Sequence, residues 1–181
     1  VFFYFLLQNR FVWKCLNNEE KNEIKLINEN YNNKRSDYNP QNYQLGKSWD
    51  DASNFNDYRG WIDFIKENIS KKKIVNLCEI GPGSGYYTRE IIRLAKPNKY
   101  SCVEINSQFR EYLQDKISKI VEKENLIISK DIDHLNKINC KYDMIIFLSS
   151  LHHIPDREKI FENLSKITEK GSKILFVEPT H

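Results

Sequence analysis

A short stretch of alternating glycines is the part of the sequence best suited to chemistry. It runs Glu79-Ile80-Gly81-Pro82-Gly83-Ser84-Gly85 and contains three of the six glycines in the 181-residue chain. Glycine lets the backbone turn tightly and approach a ligand without a Cβ atom in the way. A helix that follows such a loop offers unpaired N–H groups to an anionic group. The stretch therefore predicts a loop that binds a small charged ligand.

The spacing of the glycines distinguishes this loop from two common nucleotide-binding loops. A dinucleotide loop follows the pattern G-x-G-x-x-G, but Tyr86 occupies the position of its third glycine. A Walker-type phosphate loop needs Gly-Lys-Ser/Thr, which does not follow here. The pattern that is left is an acidic residue, Glu79, with glycine at every second position after it.

Strand-like and helix-like patterns alternate along the chain around this loop. Residues 74–80 form a nearly continuous apolar run, which is typical of a strand covered on both faces of a parallel sheet. Further strands are predicted at 100–105, 126–129, 142–148 and 173–177, and helices at 61–69, 86–95, 108–121 and 156–168. Helical spacing places Phe64 and Ile120 on buried faces. The alternation predicts an α/β fold with a doubly wound, mainly parallel, Rossmann-like sheet, in which ligands bind beyond the carboxyl ends of the strands.

The ends of three later strands carry further candidate residues. Glu104 ends the second strand about 20 residues beyond the first glycine, the separation at which a βαβ unit presents a ribose-binding acid. Lys130-Asp131-Ile132 follows the third strand, and Ser149-Ser150-Leu151-His152-His153 follows the fourth. Each of these residues alone has an ordinary structural explanation, such as a solvated strand end or a helix cap. Their order along the chain is the informative feature.

In this order the motifs resemble those of the class I S-adenosylmethionine-dependent methyltransferases, in particular the broad group that acts mostly on small molecules. The resemblance runs from about residue 58 to residue 181. It implies that S-adenosyl-L-methionine is the cofactor and that Glu104 accepts hydrogen bonds from both ribose hydroxyls. The other cofactor-binding residues that it implies are Glu79, Gly81, Gly83 and Gly85 at the methionine half, Asp131 and Ile132 at the adenine, and Ser149 in the turn after the fourth strand.

The chemistry implied by this resemblance is methyl transfer by in-line displacement at a sulfonium. The cofactor carries an activated methyl group, so the protein mainly has to orient the reactants and exclude water. An acceptor that loses a proton also needs a base, and imidazole titrates near neutral pH. His152 is therefore the candidate catalytic residue, and packing against the cofactor pocket is the alternative role for His152 and His153.

The expected methyl acceptor is a small molecule. The Asn/Asp-Pro-Pro-Tyr motif of amino-group methylation of bases is absent, because Ser149-Ser150-Leu151-His152 stands in its place. Lys and Arg total 28 against 25 for Asp and Glu, and a net charge of +3 does not indicate a nucleic-acid-binding surface. On the sequence alone, RNA and protein acceptors stay open.

The cysteines and the amino-terminal residues indicate where in the cell the protein is expected to be located. Four cysteines with neither a CxxC pair nor zinc-ligand spacing predict buried, reduced thiols in a cytoplasmic protein without a metal site. The apolar residues 1–7 are too few to span a bilayer. They predict a strand or helix that packs on the protein, with a membrane or partner contact as the alternative.

We predict two parts in the chain: an amino-terminal helical or irregular extension, or lid region, over residues 1–55, and a methyltransferase domain over residues 56–181. Residues 44–51 form either a lid over a pocket or, as we favour, a surface turn anchored by Trp49. The family's core has seven strands and this sequence predicts five, so the domain is expected to be incomplete at its carboxyl end. A non-catalytic methyltransferase-like binding module and an NAD(P)-dependent oxidoreductase are the alternative functions.

Overall fold

The computed structural model describes Asn18, Trp49 and residues 59–70, 73–154 and 156–178. In this part of the chain five strands form one sheet with the order β3-β2-β1-β4-β5, and all four neighbouring pairs are parallel. The strands are β1 (Asn76–Ile80), β2 (Lys99–Val103), β3 (Leu126–Ser129), β4 (Met144–Leu148) and β5 (Lys173–Val177). The prediction of a doubly wound, parallel α/β sheet is confirmed. The predicted domain boundary after residue 55 and the apolar residues 1–7 lie outside the described residues.

Helices cover both faces of the sheet. They are α1 (Arg59–Ser70), α2 (Thr88–Ala95), α3 (Ser107–Ile117), α4 (Ile132–Lys137) and α5 (Arg157–Ile167), with 3₁₀ turns at Lys123–Asn125 and Leu151–His153. Helices α1, α2 and α3 share one apolar cluster with the sheet, and α4 and α5 share the other. No helix among the residues described is long and apolar enough to cross a membrane.

Strand β4 is apolar along its whole length because both of its faces are covered. All five of its residues are buried. Met144 and Ile146 pack in the cluster with α1, α2 and α3, whereas Ile145 and Phe147 pack in the cluster with α4 and α5. Side chains that alternate between two apolar layers fix the register of this inner strand.

Polar caps start three of the helices. The Oδ1 atom of Asn106 accepts a hydrogen bond from the N–H of Phe109 over 3.0 Å, and Oδ1 of Asp131 accepts one from the N–H of His134 over 2.9 Å. Asp156 caps α5 in the same way. Each cap contributes about 1 kcal/mol to the stability of its helix. The loops from β2 to α3 and from β3 to α4 are short, and Asn106 and Asp131 are the last residues of these two loops.

Two side chains that the helical spacing of apolar residues predicted to be buried lie at the surface. Phe64 is 39% exposed because Ile62, rather than Phe64, completes the buried face of α1. Ile120 is 53% exposed, because α3 ends at Ile117 and Ile120 lies in the turn that follows the helix. The sequence patterns also missed α4. The predicted burial of Cys78 and Cys102 is confirmed, Cys140 is only half-buried, and Cys15 lies outside the described residues.

Candidate functional site

The loops that follow four strands open at the same edge of the sheet. Ile80 of β1 is in register with Val103 and with Phe147, and Phe147 is in register with Phe176. Hydrogen bonds between neighbouring strands continue one residue beyond this level: Gly81 N–H to Val103 O over 2.8 Å, Glu104 N–H to Ser129 O over 2.9 Å, and Ser149 N–H to Val177 O over 2.7 Å. The carboxyl edge of the sheet is thus the place where the predicted site residues meet.

The glycine loop is closed on one side and open on the other. Gly81, Gly83 and Gly85 have φ angles of 71°, 59° and 76°, a region that favours glycine. A Cβ atom on Gly81 would lie 2.6 Å from Cβ of Ser150, and one on Gly85 would lie 2.6 Å from Cδ2 of Leu113. At Gly83, by contrast, a Cβ atom would meet no described heavy atom within 4 Å. The space beside Gly83 is where a ligand can approach the backbone.

The carboxylate of Glu104 lies against this open part of the loop. Its Oε2 atom accepts a hydrogen bond from the N–H of Gly83, and its Oε1 atom accepts one from the N–H of Asn106, both over 2.9 Å. One backbone bond to each oxygen therefore orients the carboxylate within the site.

Arg110 and Ile105 complete this part of the site, and the sequence motifs did not predict either residue. The Nη1 atom of Arg110 donates hydrogen bonds to the backbone oxygens of Glu104 and Ile105 over 2.8 and 2.7 Å. The bonds fix the backbone on which the Glu104 carboxylate stands. The Ile105 side chain is 58% exposed and offers an apolar surface beside that carboxylate. An apolar residue directly after a strand-ending acid is the sequence signal for it.

Glu79 lies beneath the loop, inside the domain. It is 1% exposed, and its Oε2 atom accepts hydrogen bonds from Thr88 Oγ1 over 2.9 Å and from Tyr100 OH over 2.7 Å. Burial raises the pKa of Glu79 to about 7; the two hydrogen bonds oppose this shift, and the nearby charge of Glu104 adds to it. Through these bonds Glu79 connects the end of β1 to α2 and β2.

Asp131 and Ile132 follow β3 at the same edge, and their side chains have structural contacts. Asp131 is exposed and caps α4, and its backbone oxygen accepts a hydrogen bond from the Ser129 hydroxyl over 2.8 Å. The Ile132 side chain is 7% exposed and packs in the cluster with α4 and α5. Asp131 is therefore the more accessible of the two to a ligand.

The turn after β4 is held from two directions. The hydroxyl of Ser150 donates a hydrogen bond to the oxygen of Ile80 over 2.6 Å, and Oε1 of Glu178 accepts from the N–H groups of Ser150 and Leu151 over 3.0 and 2.8 Å. Ser149 has a φ angle of 51°, which is strained for a residue other than glycine. His152 lies in the 3₁₀ turn that these bonds fix, and its imidazole is outside the described atoms.

The sheet order and the loop after β1 define a Rossmann-like α/β domain, a fold in which ligands bind at the carboxyl edge of the sheet. The family model named Methyltransferase domain matches residues 78–174, more than half of the chain, so the chain belongs to that family. The sheet is of the class I methyltransferase type. The matched residues include the glycine loop, Glu104 and the turn after β4.

Individual relatives agree with this family. Malonyl-[acyl-carrier protein] O-methyltransferase 1 of Ilyobacter polytropus is 27% identical over 106 residues, which cover 58% of this chain and 38% of that protein. Ubiquinone biosynthesis O-methyltransferase of Coxiella burnetii is 23% identical over 118 residues, covering 64% and 47% of the two chains. A crystal structure of an S-adenosylmethionine-dependent methyltransferase from Clostridium acetobutylicum aligns with a TM-score of 0.53 and 27% identity, over 66% of this chain and 50% of that one. The chain spans less than half the length of the two curated relatives.

Proposed function

We propose that this chain binds S-adenosyl-L-methionine and forms the cofactor-binding part of a methyltransferase that acts on a small molecule. The observation that carries the proposal is the pairing of an open, positive-φ glycine, Gly83, with a preoriented carboxylate, Glu104. Membership of the methyltransferase family supports the reaction type. The related enzymes from Ilyobacter and Coxiella, named for an acyl-carrier-protein substrate and for ubiquinone biosynthesis, support an acceptor outside nucleic acids.

The polar and apolar groups at the carboxyl edge of the sheet fit the different parts of this cofactor. The ribose offers two adjacent hydroxyls, and the oriented carboxylate of Glu104, directly after β2, is the acceptor that we assign to them. The exposed Ile105 side chain offers an apolar surface for the adenine, and Asp131 offers an acceptor for its amino group. The backbone beside Gly83 leaves room for the methionine half, while Glu79, Gly81, Gly85, Ile132 and Ser149 shape the surrounding loops.

When bound, the cofactor supplies a methyl group on a positively charged sulfur, so no covalent nucleophile of the protein is needed. The residues of the chain then have two tasks: to hold the reactants in line and to accept a proton from the acceptor where one is lost. We assign the second task to His152, because the turn after β4 lies at the same edge as Gly81. The hydrogen bonds that Ser150 makes to Glu178 and to Ile80 support a fixed position for this turn. The buried thiols of Cys78 and Cys102 support a reducing compartment such as the cytoplasm.

The test is a thermal-shift panel with S-adenosylhomocysteine, NAD and NADP on the wild type, Gly83→Arg and Glu104→Ala. We expect S-adenosylhomocysteine alone to raise the melting temperature of the wild type, and both substitutions to remove that rise. The side chain introduced by Gly83→Arg would fill the open space beside the loop, and Glu104→Ala removes the acceptor for the ribose. A shift with NAD alone contradicts the cofactor assignment, and equal shifts in all three proteins contradict the site.

Methyl-transfer activity is tested separately. A methyl-donor assay with small thiols, hydroxyls and carboxylic acids is compared with the same assay on RNA and on protein acceptors. We expect transfer to a small molecule and a loss of turnover in His152→Ala with unchanged S-adenosylhomocysteine affinity. Tight cofactor binding without transfer to any acceptor class would instead favour a non-catalytic binding module.

A further inference from the structure

Trp49 lies well outside residues 78–174, yet it packs into the core of the domain. The side chain is 6% exposed and belongs to the apolar cluster between the sheet and helices α1, α2 and α3. The sequence favoured a surface turn anchored by Trp49, and the burial of this side chain is consistent with such an anchor. The other residues of that turn, 44–48, 50 and 51, lie outside the described residues.

Two contacts connect Trp49 to the glycine loop. Its backbone N–H donates a hydrogen bond to the oxygen of Ser84 over 3.1 Å. Its Cε3 atom lies 3.2 Å from the position that a Cβ atom on Gly85 would take, and Leu113 closes the same position at 2.6 Å. Trp49 and Leu113 together form the wall behind Gly85.

The other side of the loop is the open side beside Gly83, where the N–H group donates to Glu104. Glycines accept many backbone conformations at similar energy, so a glycine loop needs outside packing to hold one of them. We infer that Trp49 is a positioning residue for the cofactor loop: it holds Ser84 and Gly85 so that Gly83 keeps its hydrogen bond to Glu104 and the open space beside Gly83 faces the cofactor. The inference rests on the proposed function.

The first test needs no ligand and compares Trp49→Ala with Ile69→Ala. Ile69 is 7% exposed and belongs to the same apolar cluster, but it lies near the end of α1, next to Asn68, whose oxygen accepts a hydrogen bond from Lys173 at the start of β5. We expect hydrogen exchange at the Gly83 and Gly85 amides to be at least tenfold faster in Trp49→Ala than in Ile69→Ala, at urea concentrations that match their global stability. Equal exchange in the two variants would overturn the inference.

The second test measures S-adenosylhomocysteine affinity by calorimetry in the same proteins. We expect binding at least tenfold weaker in Trp49→Ala, within threefold of wild type in Ile69→Ala, and intermediate in Trp49→Phe, which keeps an aromatic ring against Gly85. Trp49→Leu replaces the alanine variant if that variant does not fold. If the wild type binds no S-adenosylhomocysteine, the proposed function fails, and the exchange rates still decide the positioning role. If Trp49→Ala binds S-adenosylhomocysteine as tightly as the wild type does, the inference about Trp49 is overturned, but the proposed function is not.

Discussion

The N–H of Gly83 donates a hydrogen bond to Oε2 of Glu104, 2.9 Å away and 21 residues further along the chain. The bond ties the loop after β1 to the end of β2. A second backbone bond, from Asn106 to Oε1, fixes the other oxygen of the same carboxylate. The acceptor is therefore oriented before a ligand arrives, and it loses less conformational entropy on binding than a mobile side chain would.

Replacing Glu104 with glutamine should weaken cofactor binding more than it weakens the fold. Glutamine has nearly the same shape, but its NH₂ group must then face the N–H of either Gly83 or Asn106, donor against donor. Hydrogen bonds to charged groups contribute about 1.5–3 kcal/mol, so we expect affinity for S-adenosylhomocysteine to fall roughly ten- to hundredfold. Calorimetric titration measures this affinity. Glu111→Gln, an exposed acid on α3, is the control, and equal affinities in the two variants would contradict the role of Glu104.

Alanine at Gly83 and at Gly85 should separate ligand binding from folding. Both glycines have positive φ angles, which cost an alanine about 1–2 kcal/mol. At Gly85 the new methyl group also meets Leu113 at 2.6 Å and Trp49 at 3.2 Å, whereas at Gly83 it points into open space. We expect urea unfolding to show a loss of more than about 2 kcal/mol for Gly85→Ala. Gly83→Ala should lose less stability but bind S-adenosylhomocysteine more weakly. Similar unfolding midpoints for both variants would contradict this packing.

The strands could be predicted from sequence because a buried parallel strand needs little more than an apolar run. β3 (Leu126–Ser129) and β5 (Lys173–Val177) have the bounds that the sequence predicted. Glu104 could be placed as well, since the length of a βαβ unit brings it back to the first loop. The end of α3 could not, because the apolar periodicity continues to Ile120, beyond the last residue of the helix, Ile117.

The surroundings of individual site residues could not be predicted in this way. The glycine motif includes Glu79, but the partners that bury it, Thr88 and Tyr100, come from α2 and β2 and belong to no motif. The contact of Trp49 with Gly85 joins positions far apart in the sequence and depends on tertiary packing alone. Local patterns predict which backbone segments meet, and the packing of the assembled domain determines what each side chain does there.

The buried carboxyl of Glu79 should give stability a pH dependence. Its pKa is about 7 in the folded protein, against an ordinary value of 4.5, so the folded state binds a proton more tightly than the unfolded state. The free energy of unfolding should therefore fall as pH rises from about 4.5 to about 7, by about 3 kcal/mol from this group. Urea unfolding at a series of pH values measures the slope.

The matched variant for this prediction is Glu79→Gln, which keeps an oxygen acceptor for Thr88 and Tyr100 but does not titrate. Its stability relative to the wild type should rise by the same amount over the same pH range. Glu124→Gln, an exposed acid before β3, should leave the wild-type slope unchanged. Parallel pH profiles for the wild type and Glu79→Gln would show that the carboxyl does not titrate in this range.

Glu178 should control the order of the turn that carries His152. Its Oε1 atom accepts hydrogen bonds from the N–H groups of Ser150 and Leu151. Burial lowers the pKa of the Arg157 guanidinium, and the charge of Glu178 opposes that shift. Glu178→Ala therefore removes one acceptor from two amides and an opposite charge from a half-buried cation, a loss of about 1–3 kcal/mol.

We expect hydrogen exchange at the Ser150 and Leu151 amides to accelerate at least tenfold in Glu178→Ala. Glu178→Gln should restore most of the protection, because a neutral oxygen can still accept both bonds. Glu169→Ala, an exposed acid before β5, is the control and should leave both amides as in the wild type. If the turn positions the base, methyl transfer should fall more in Glu178→Ala than the affinity for S-adenosylhomocysteine does. Unchanged exchange at the two amides would show that the turn holds its shape without Glu178.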